Sequence, residues 1–307
     1  MLHLFLLVAQ RLNPFHHYID SVGSVIEMDG LTSIGTAPWS REQITHAVST
    51  FEALYQTRPI QDNSGGMKSP HMFATWFMAK HLSPSVIVES GIFKGQSTWL
   101  LEQACPDAKI ISIDLNLSQR EYVSERATYF DRDFADIDWS GIDTSSALAF
   151  FDDHQNAYSR LQLCKWFGFR HVIFEDNYPA TQGDCYSIKQ AFSGAGFEPL
   201  GSGRHKETAG QKLARKLNLL PTLTPQYNRV QISPNQHDAA ALRRNVEVYR
   251  EFPPLFKRDE TRWGDKWTGT KYATPEPVLP ATAKDNHPVF WEEALAYTWI
   301  CYVMLKG

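Results

Sequence analysis

The chain has 307 residues, 43% of them hydrophobic, and a formal net charge of −4, so it can bury one large core and lacks a general attraction for nucleic acid or anionic membrane. The charge is uneven: residues 121 to 153 carry nine acids against two bases, and residues 201 to 258 carry eleven bases against four acids. An acidic strip can hold a cation and a basic segment an anion, although solvated faces explain both equally well. The four cysteines, Cys105, Cys164, Cys185 and Cys301, contain no C-x-x-C pair, which excludes a sequence-evident zinc site or disulfide scaffold and fits a reducing cytoplasm.

The N-terminal "LHLFLLVA" lacks a basic leader and a small-residue cleavage site, and it is too short to span a bilayer. A helix packed on the body or on a second copy suits it, so a homo-oligomer and no stable membrane insertion are expected. "SREQITHAVSTFEALYQ" (Ser40 to Gln56) has a polar cap and apolar residues at helical spacing; "HMFATWFMAKHL" is a second helix, stopped by Ser83-Pro84. Residues 1–84 are therefore expected to form a helical extension, and residues 85–307 an α/β domain.

From Val86 short apolar runs alternate with helical stretches, the pattern of a parallel sheet with crossover helices. The predicted strands are "VIVES", "KIISID", "ATYFD", "ALAFFD" and "HVIFED". In a doubly wound sheet the carboxyl ends of the strands line the ligand crevice, which would bring Glu89, Asp114, Asp152, Asp153, Glu175 and Asp176 to one edge. Residues 201 to about 285 are basic, Pro-rich and poorly periodic, with one strand-like piece, "NRVQIS". They read as an insertion before the last strand, which is expected within "FWEEALAYTWICYVMLKG".

The turn in "VIVESGIFKGQST" is open to three ligands. A phosphate-cradling G-x-x-x-x-G-K-[ST] loop fails because Ser90 stands at its first glycine and Gln96 at its lysine. A dinucleotide G-x-G-x-x-G loop fails because Gly91 and Gly95 are four residues apart. The third candidate, S-adenosylmethionine, carries no phosphate and asks only for close backbone approach.

"VIVESGIFKGQST" resembles the first motif of class I S-adenosylmethionine-dependent methyltransferases, with Phe93 in place of the middle glycine as in the cation-dependent O-methyltransferase and cephalosporin-hydroxylase-like branch. The resemblance covers roughly residues 85 to 200. It implies a Rossmann-like methyltransferase fold with cofactor contacts from Glu89, Gly91, Phe93, Gly95, Ser97 and Asp114, the last placed to accept two hydrogen bonds from the ribose diol. Asp133-Phe134 would meet the adenine, the acid accepting from its amine and the ring stacking.

"FFDDHQNAY" and "VIFEDNYP" resemble the two metal-binding elements of the cation-dependent branch, which implies magnesium or a similar divalent ion. One alignment selects Asp153, Asp176 and Asn177; the other selects Asp152 or Asp153 with Glu175 and Asp176. The lysine base of catechol-type enzymes is missing, since Gln155 or Asn156 occupies its position, and His154 is the nearest alternative base. The expected activity is O-methyl transfer to a hydroxylated small molecule of sugar or secondary-metabolite type. The rival is a methyltransferase-like protein that binds a nucleoside or glycan without methyl transfer. A redox metal site is disfavoured, because no two-His-one-carboxylate set stands at the strand ends. The aromatics of "WGDKWTGTKY" are candidates for an acceptor wall or for packing of the insertion.

Overall fold

The computed structural model describes residues 31–180, 182–194, 236–268 and 272–307. "LHLFLLVA", "NRVQIS" and most of the basic stretch lie outside them.

The first helix, α1 (Arg41–Gln56), starts at a capping box: Ser40 Oγ accepts from Gln43 N–H at 3.2 Å, and Gln43 Oε1 accepts from Ser40 N–H at 2.7 Å. Its buried stripe is Ile44, Val48, Phe51 and Tyr55. The second, α2 (Ser69–Leu82), has Pro70 in its first turn and ends at Ser83, left-handed with φ 45°, just before Pro84. It is buried on all sides from Ser69 to Ala79, because it lies between α1 and the body.

Every strand predicted between Val86 and Asp176 is present, in each case shorter at its end or start by one or two residues or not at all. They are β2 (Val86–Ser90), β3 (Lys109–Ile113), β4 (Ala127–Phe130), β5 (Leu148–Phe151) and β6 (His171–Phe174). Asp114, Asp152 and the pair Glu175-Asp176 therefore fall in the loops just past the strands. Two further strands complete that side of the sheet, β7 (Val246–Glu251) and β8 (Cys301–Leu305), and the short β1 (Ser33–Ile34) pairs at the edge. The order is β1-β7-β8-β6-β5-β2-β3-β4; β2 through β6 run parallel, and β8 is antiparallel to both β6 and β7. This is a doubly wound, mostly parallel, Rossmann-like α/β sheet. One expectation is corrected: β7 lies inside the stretch read as insertion, where "VEVYRE" alternates with polar residues and follows no glycine or proline break.

Alternate strand residues point to opposite faces, and the two faces bury separate apolar clusters. Ile87, Ile110, Leu148 and Ile173 pack under α1, α2 and α3 (Gln96–Ala104). Val88, Ile111, Ala149 and Val172 pack under α4 (Ala157–Phe167), α5 (Ile188–Ser193) and α6 (Gln236–Asn245). Residues 39 to 82 thus share the core of the sheet. No helix of the described residues is long and apolar enough to cross a membrane, and all four cysteines are free and buried.

The chain runs outward from β2 through β3 to β4, then returns to β5 on the other side of β2. That reversal makes the gap beyond the β2 and β5 ends the switch point, where an open α/β sheet takes its ligand.

Candidate active site

A cleft of about 910 Å³ opens at this switch point, bordered by Gly91, Phe93, Asp114, Asp133, Asp152 and Asp176 among others. That volume accommodates a nucleoside-sized cofactor beside a small acceptor.

One wall is the β2–α3 turn. Gly91 has φ 95°, and a Cβ there would lie 2.1 Å from the Asp152 carbonyl oxygen; Gly95 has φ 93°, and its Cβ would lie 2.3 Å from the Tyr122 carbonyl oxygen. The glycines are required by neighbouring backbone, a ground separate from their expected use as clearance for a cofactor. Gly91 still borders the cleft, whereas Gly95 caps α3 away from it. Asp114 organises the turn: Oδ2 accepts from the N–H groups of Ile92 at 2.9 Å and Phe93 at 3.0 Å, and Oδ1 from Asn116 N–H at 2.8 Å. Oδ1 keeps a lone pair, so one hydroxyl of a cleft-lining diol can still be accepted, where two hydrogen bonds were expected.

Glu89 and Ser97 are not in the cleft. Glu89 is fully buried, accepting from Thr98 Oγ1 and Ser112 Oγ, both at 2.6 Å, and Ser97 is buried beside it. Burial raises the Glu89 carboxyl to about 6, against the pull of the hydroxyls of Ser112, Ser97 and Thr98. These two residues hold β2, β3 and α3 together and do not face a cofactor.

Asp133 borders the cleft, but both its oxygens are taken by Arg160, at 2.7 and 2.6 Å, and Oδ1 also accepts from Ala135 N–H at 2.8 Å. The Arg160 bonds hold its carboxyl below the ordinary range. Phe134 is wholly buried against Trp139, Phe151 and Phe169, so it is a core ring and no adenine platform.

The opposite wall carries the acids that follow β5 and β6. Asp153 accepts from Ser90 Oγ at 2.8 Å, from Arg160 Nε at 3.0 Å and from Gln155 N–H at 3.2 Å, and is spent on the protein itself. Asn177 is also removed from the expected metal set: it is buried, its amide donates to Tyr249 Oη at 2.9 Å, and its oxygen accepts from Lys189 N–H at 2.8 Å.

What remains is Asp152, Glu175 and Asp176. Burial, then the nearby Glu175, pushes the Asp152 carboxyl well up; burial, then Asp176, does the same to Glu175. Asp176 goes the other way despite its burial, because His154 faces it at 3.0 Å. His154 Nδ1 also lies 3.2 Å from Asp184 Oδ1, and these two carboxylates push the imidazole up to about 12. In this arrangement His154 keeps its proton and orients two acids, in contrast to the base role expected of it.

Four contributors were missed by sequence reasoning: Arg160, Asp184, Tyr178 and His71. His71 comes from the first turn of α2, is 2% exposed, and meets Glu175 Oε1 through Nδ1 at 2.5 Å. Its Nε2 accepts from Thr298 N–H at 2.8 Å, so the proton sits on Nδ1 and is donated to Glu175. Burial holds this ring neutral, its value lowered to about 3. No short-range pattern marks a partner 104 residues away. Of the "WGDKWTGTKY" aromatics, Trp267 and Tyr272 are core residues, and Trp263 lies between Trp299 and Tyr178, the latter bordering the cleft.

The donor chemistry fits a divalent cation. Oxygens of Asp152 and Asp176 and a ring nitrogen of His154 lie within 4.8 Å of one another, and the buried Oδ2 of Asp176 lies 3.0 Å from His154 Nδ1.

No family model matches the chain, and no curated protein does. Among solved structures, the CmcI-N160 apo-structure is 20% identical, covering 39% of this chain and 57% of that one, with a TM-score of 0.30. The match thus spans a little over half the length of that protein. The O-methyltransferase TomG from Streptomyces achromogenes, in complex with SAM, is 16% identical over 70% of this chain and 87% of its own, with a TM-score of 0.33. The plantazolicin methyltransferase BpumL is 12% identical over 87% and 96%, with a TM-score of 0.35.

Proposed function

We propose that the protein is an S-adenosylmethionine-dependent O-methyltransferase, assisted by a divalent cation, that acts on a hydroxylated small molecule. The observation that carries this is one cleft at the switch point with two unlike walls: an amide-lined turn centred on Asp114, and an under-paired acid cluster at the β5 and β6 ends. The cofactor would supply an electrophilic methyl group, and the cation, held by Asp152 and Asp176 beside Glu175, would make an acceptor hydroxyl more acidic.

The chain's own residues do the placing. Asp114 fixes the turn and offers the remaining lone pair of Oδ1 to one hydroxyl of a vicinal diol. His71 fixes the carboxylate plane of Glu175 by donating from Nδ1, in the manner of outer partners that orient metal-binding groups. His154 holds its proton at Nδ1 between Asp176 and Asp184; engaging Asp176 elsewhere is what would release that nitrogen for base work. Exclusion of water by the cleft walls strengthens each of these contacts and brings the reactants together as a unimolecular pair. The free, buried cysteines support a cytoplasmic setting.

Calorimetric titration with S-adenosylmethionine, with and without magnesium, tests the proposal. Saturable binding is expected, and no heat under either condition contradicts it. The rival, binding without methyl transfer, would show cofactor or nucleoside binding and an Asp176→Ala variant with unchanged cellular function.

A further inference from the structure

Behind Asp176 lies a closed circuit of buried polar groups to which the proposed chemistry gives no part. Asn177 Nδ2 donates to Tyr249 Oη at 2.9 Å, and Tyr249 Oη donates to Glu251 Oε1 at 2.7 Å. Lys189 Nζ pairs with that same Glu251 oxygen, and the Lys189 N–H returns to Asn177 Oδ1 at 2.8 Å. Asn177, Tyr249 and Glu251 are wholly buried, and Lys189 is 7% exposed.

Stability does not explain the circuit. A buried ion pair is often no better for a fold than apolar side chains of the same volume, and Glu251 Oε2 is left buried without a hydrogen bond among the described residues. What the circuit supplies is direction. Asn177 directly follows Asp176, and each of its polar groups is committed to a different element: the N–H to the Thr298 carbonyl ahead of β8 at 3.1 Å, the side-chain nitrogen to β7, and the side-chain oxygen to the first turn of α5. Its N–H belongs to the peptide that joins it to Asp176, so three bonds in three directions fix the backbone from which the Asp176 carboxyl projects. Thr298 also donates its own N–H to His71 Nε2 at 2.8 Å, which ties the partner of Glu175 to the same anchor.

We infer that the Asn177–Tyr249–Glu251–Lys189 circuit positions Asp176 for the divalent cation, and that Tyr249 is its central positioning residue. The inference rests on the proposed cation site and adds what holds one of its proposed ligands in place. The donor atoms of Asp152, His154 and Asp176 lie within 4.8 Å of one another, a grouping that a turn of the Asp176 peptide would open. Tyr249 is the junction, since its hydroxyl accepts from Asn177 and donates to Glu251. Its ring lies against Phe192, centroids 4.8 Å apart, a contact that survives removal of the hydroxyl. Tyr249→Phe therefore deletes the junction and keeps the packing.

Manganese(II) is the probe, titrated into the full-length, chelator-stripped protein with the free ion read by electron paramagnetic resonance. Urea unfolding without added ion is followed in parallel. The parent is expected to bind manganese saturably, and Tyr249→Phe should weaken that binding at least about tenfold. The double variant Lys189→Met/Glu251→Leu replaces the ion pair by apolar groups. It should weaken manganese binding at least about threefold while its unfolding midpoint stays at or above the parent's, a combination that a purely structural role does not give. It also carries the test if Tyr249→Phe fails to fold by circular dichroism. A parent that binds no manganese contradicts the cation site itself and takes the inference with it. Parent-like manganese binding in the folded variants, or affinity lost only in step with the unfolding midpoint, overturns the inference and leaves the cation site standing.

Discussion

The two walls of the cleft both carry carboxylates and treat them differently. On the β2–β3–β4 side, Asp114 is met by three backbone N–H groups and Asp133 by the guanidinium of Arg160, with Glu89 buried behind them against the hydroxyls of Thr98 and Ser112. On the β5–β6 side, Asp152, Glu175, Asp176 and Asp184 crowd together with two imidazoles as their nearest partners, one of them neutral. The carboxylates of the first wall that border the cleft are paired as folded. The second wall holds two carboxyl groups, Asp152 and Glu175, whose ionisation is opposed by burial and by neighbouring acids, which is the condition a bound cation relieves.

Arg160 is where the completed wall is most exposed to damage. Arg160→Met would leave Asp133 and Asp153 without their cation inside the protein, and a loss of about 3–5 kcal/mol in urea unfolding is expected. A loss below about 1 kcal/mol would mean that this wall does not depend on its ion pairs. Asp176→Asn attacks the other wall. Methyl transfer should fall at least about 100-fold while unfolding stability without added cation changes by less than about 1 kcal/mol, since one of several competing carboxylates is removed. Stability lost in step with activity would place Asp176 among structural groups.

Glu89 gives a smaller, pH-dependent contrast. Its folded value is raised above the unfolded one, from 4.5 to about 6, so the folded protein binds more protons between those values and stability falls as pH rises through that window. Glu89→Gln should remove that slope, leaving the variant up to about 2 kcal/mol less penalised at neutral pH, before any loss from the altered hydrogen bonds to Thr98 and Ser112. Denaturant melts at pH 4.5 and 7 check this, and a slope unchanged by the substitution would assign it to other groups.

Much of the sheet was legible because buried parallel strands read as continuous apolar runs, and the acids at their ends mark the crevice edge. The edge side was less so. The half-polar "VEVYRE" of β7 resembles a loop in composition, and its membership in the sheet is set by pairing with β8, more than fifty residues later. Within the site, residue type and spacing found Asp114, Asp152, Glu175 and Asp176, all of which border the cleft. They did not separate these from Glu89, Asn177 and Phe134, because whether a side chain at a strand end faces ligand or interior depends on its partners. Thr98, Tyr249 and Trp139 are those partners; Thr98 ends the first motif with nothing to mark its contact with Glu89, and the other two lie outside every motif. Gly91 was recognised as special for a different reason from the one the backbone of Asp152 imposes.

If the proposed function is right, the Asp114 wall is ready for S-adenosylmethionine before any cation binds. Titration of S-adenosylmethionine into chelator-treated protein, repeated with saturating magnesium, measures this directly. Saturable binding in both, with affinities within about threefold, is expected because the N–H groups and carboxylate of that wall are already in place. Absence of binding in both conditions would contradict a cofactor site on that wall, and binding only with magnesium would show that the two walls are not independent.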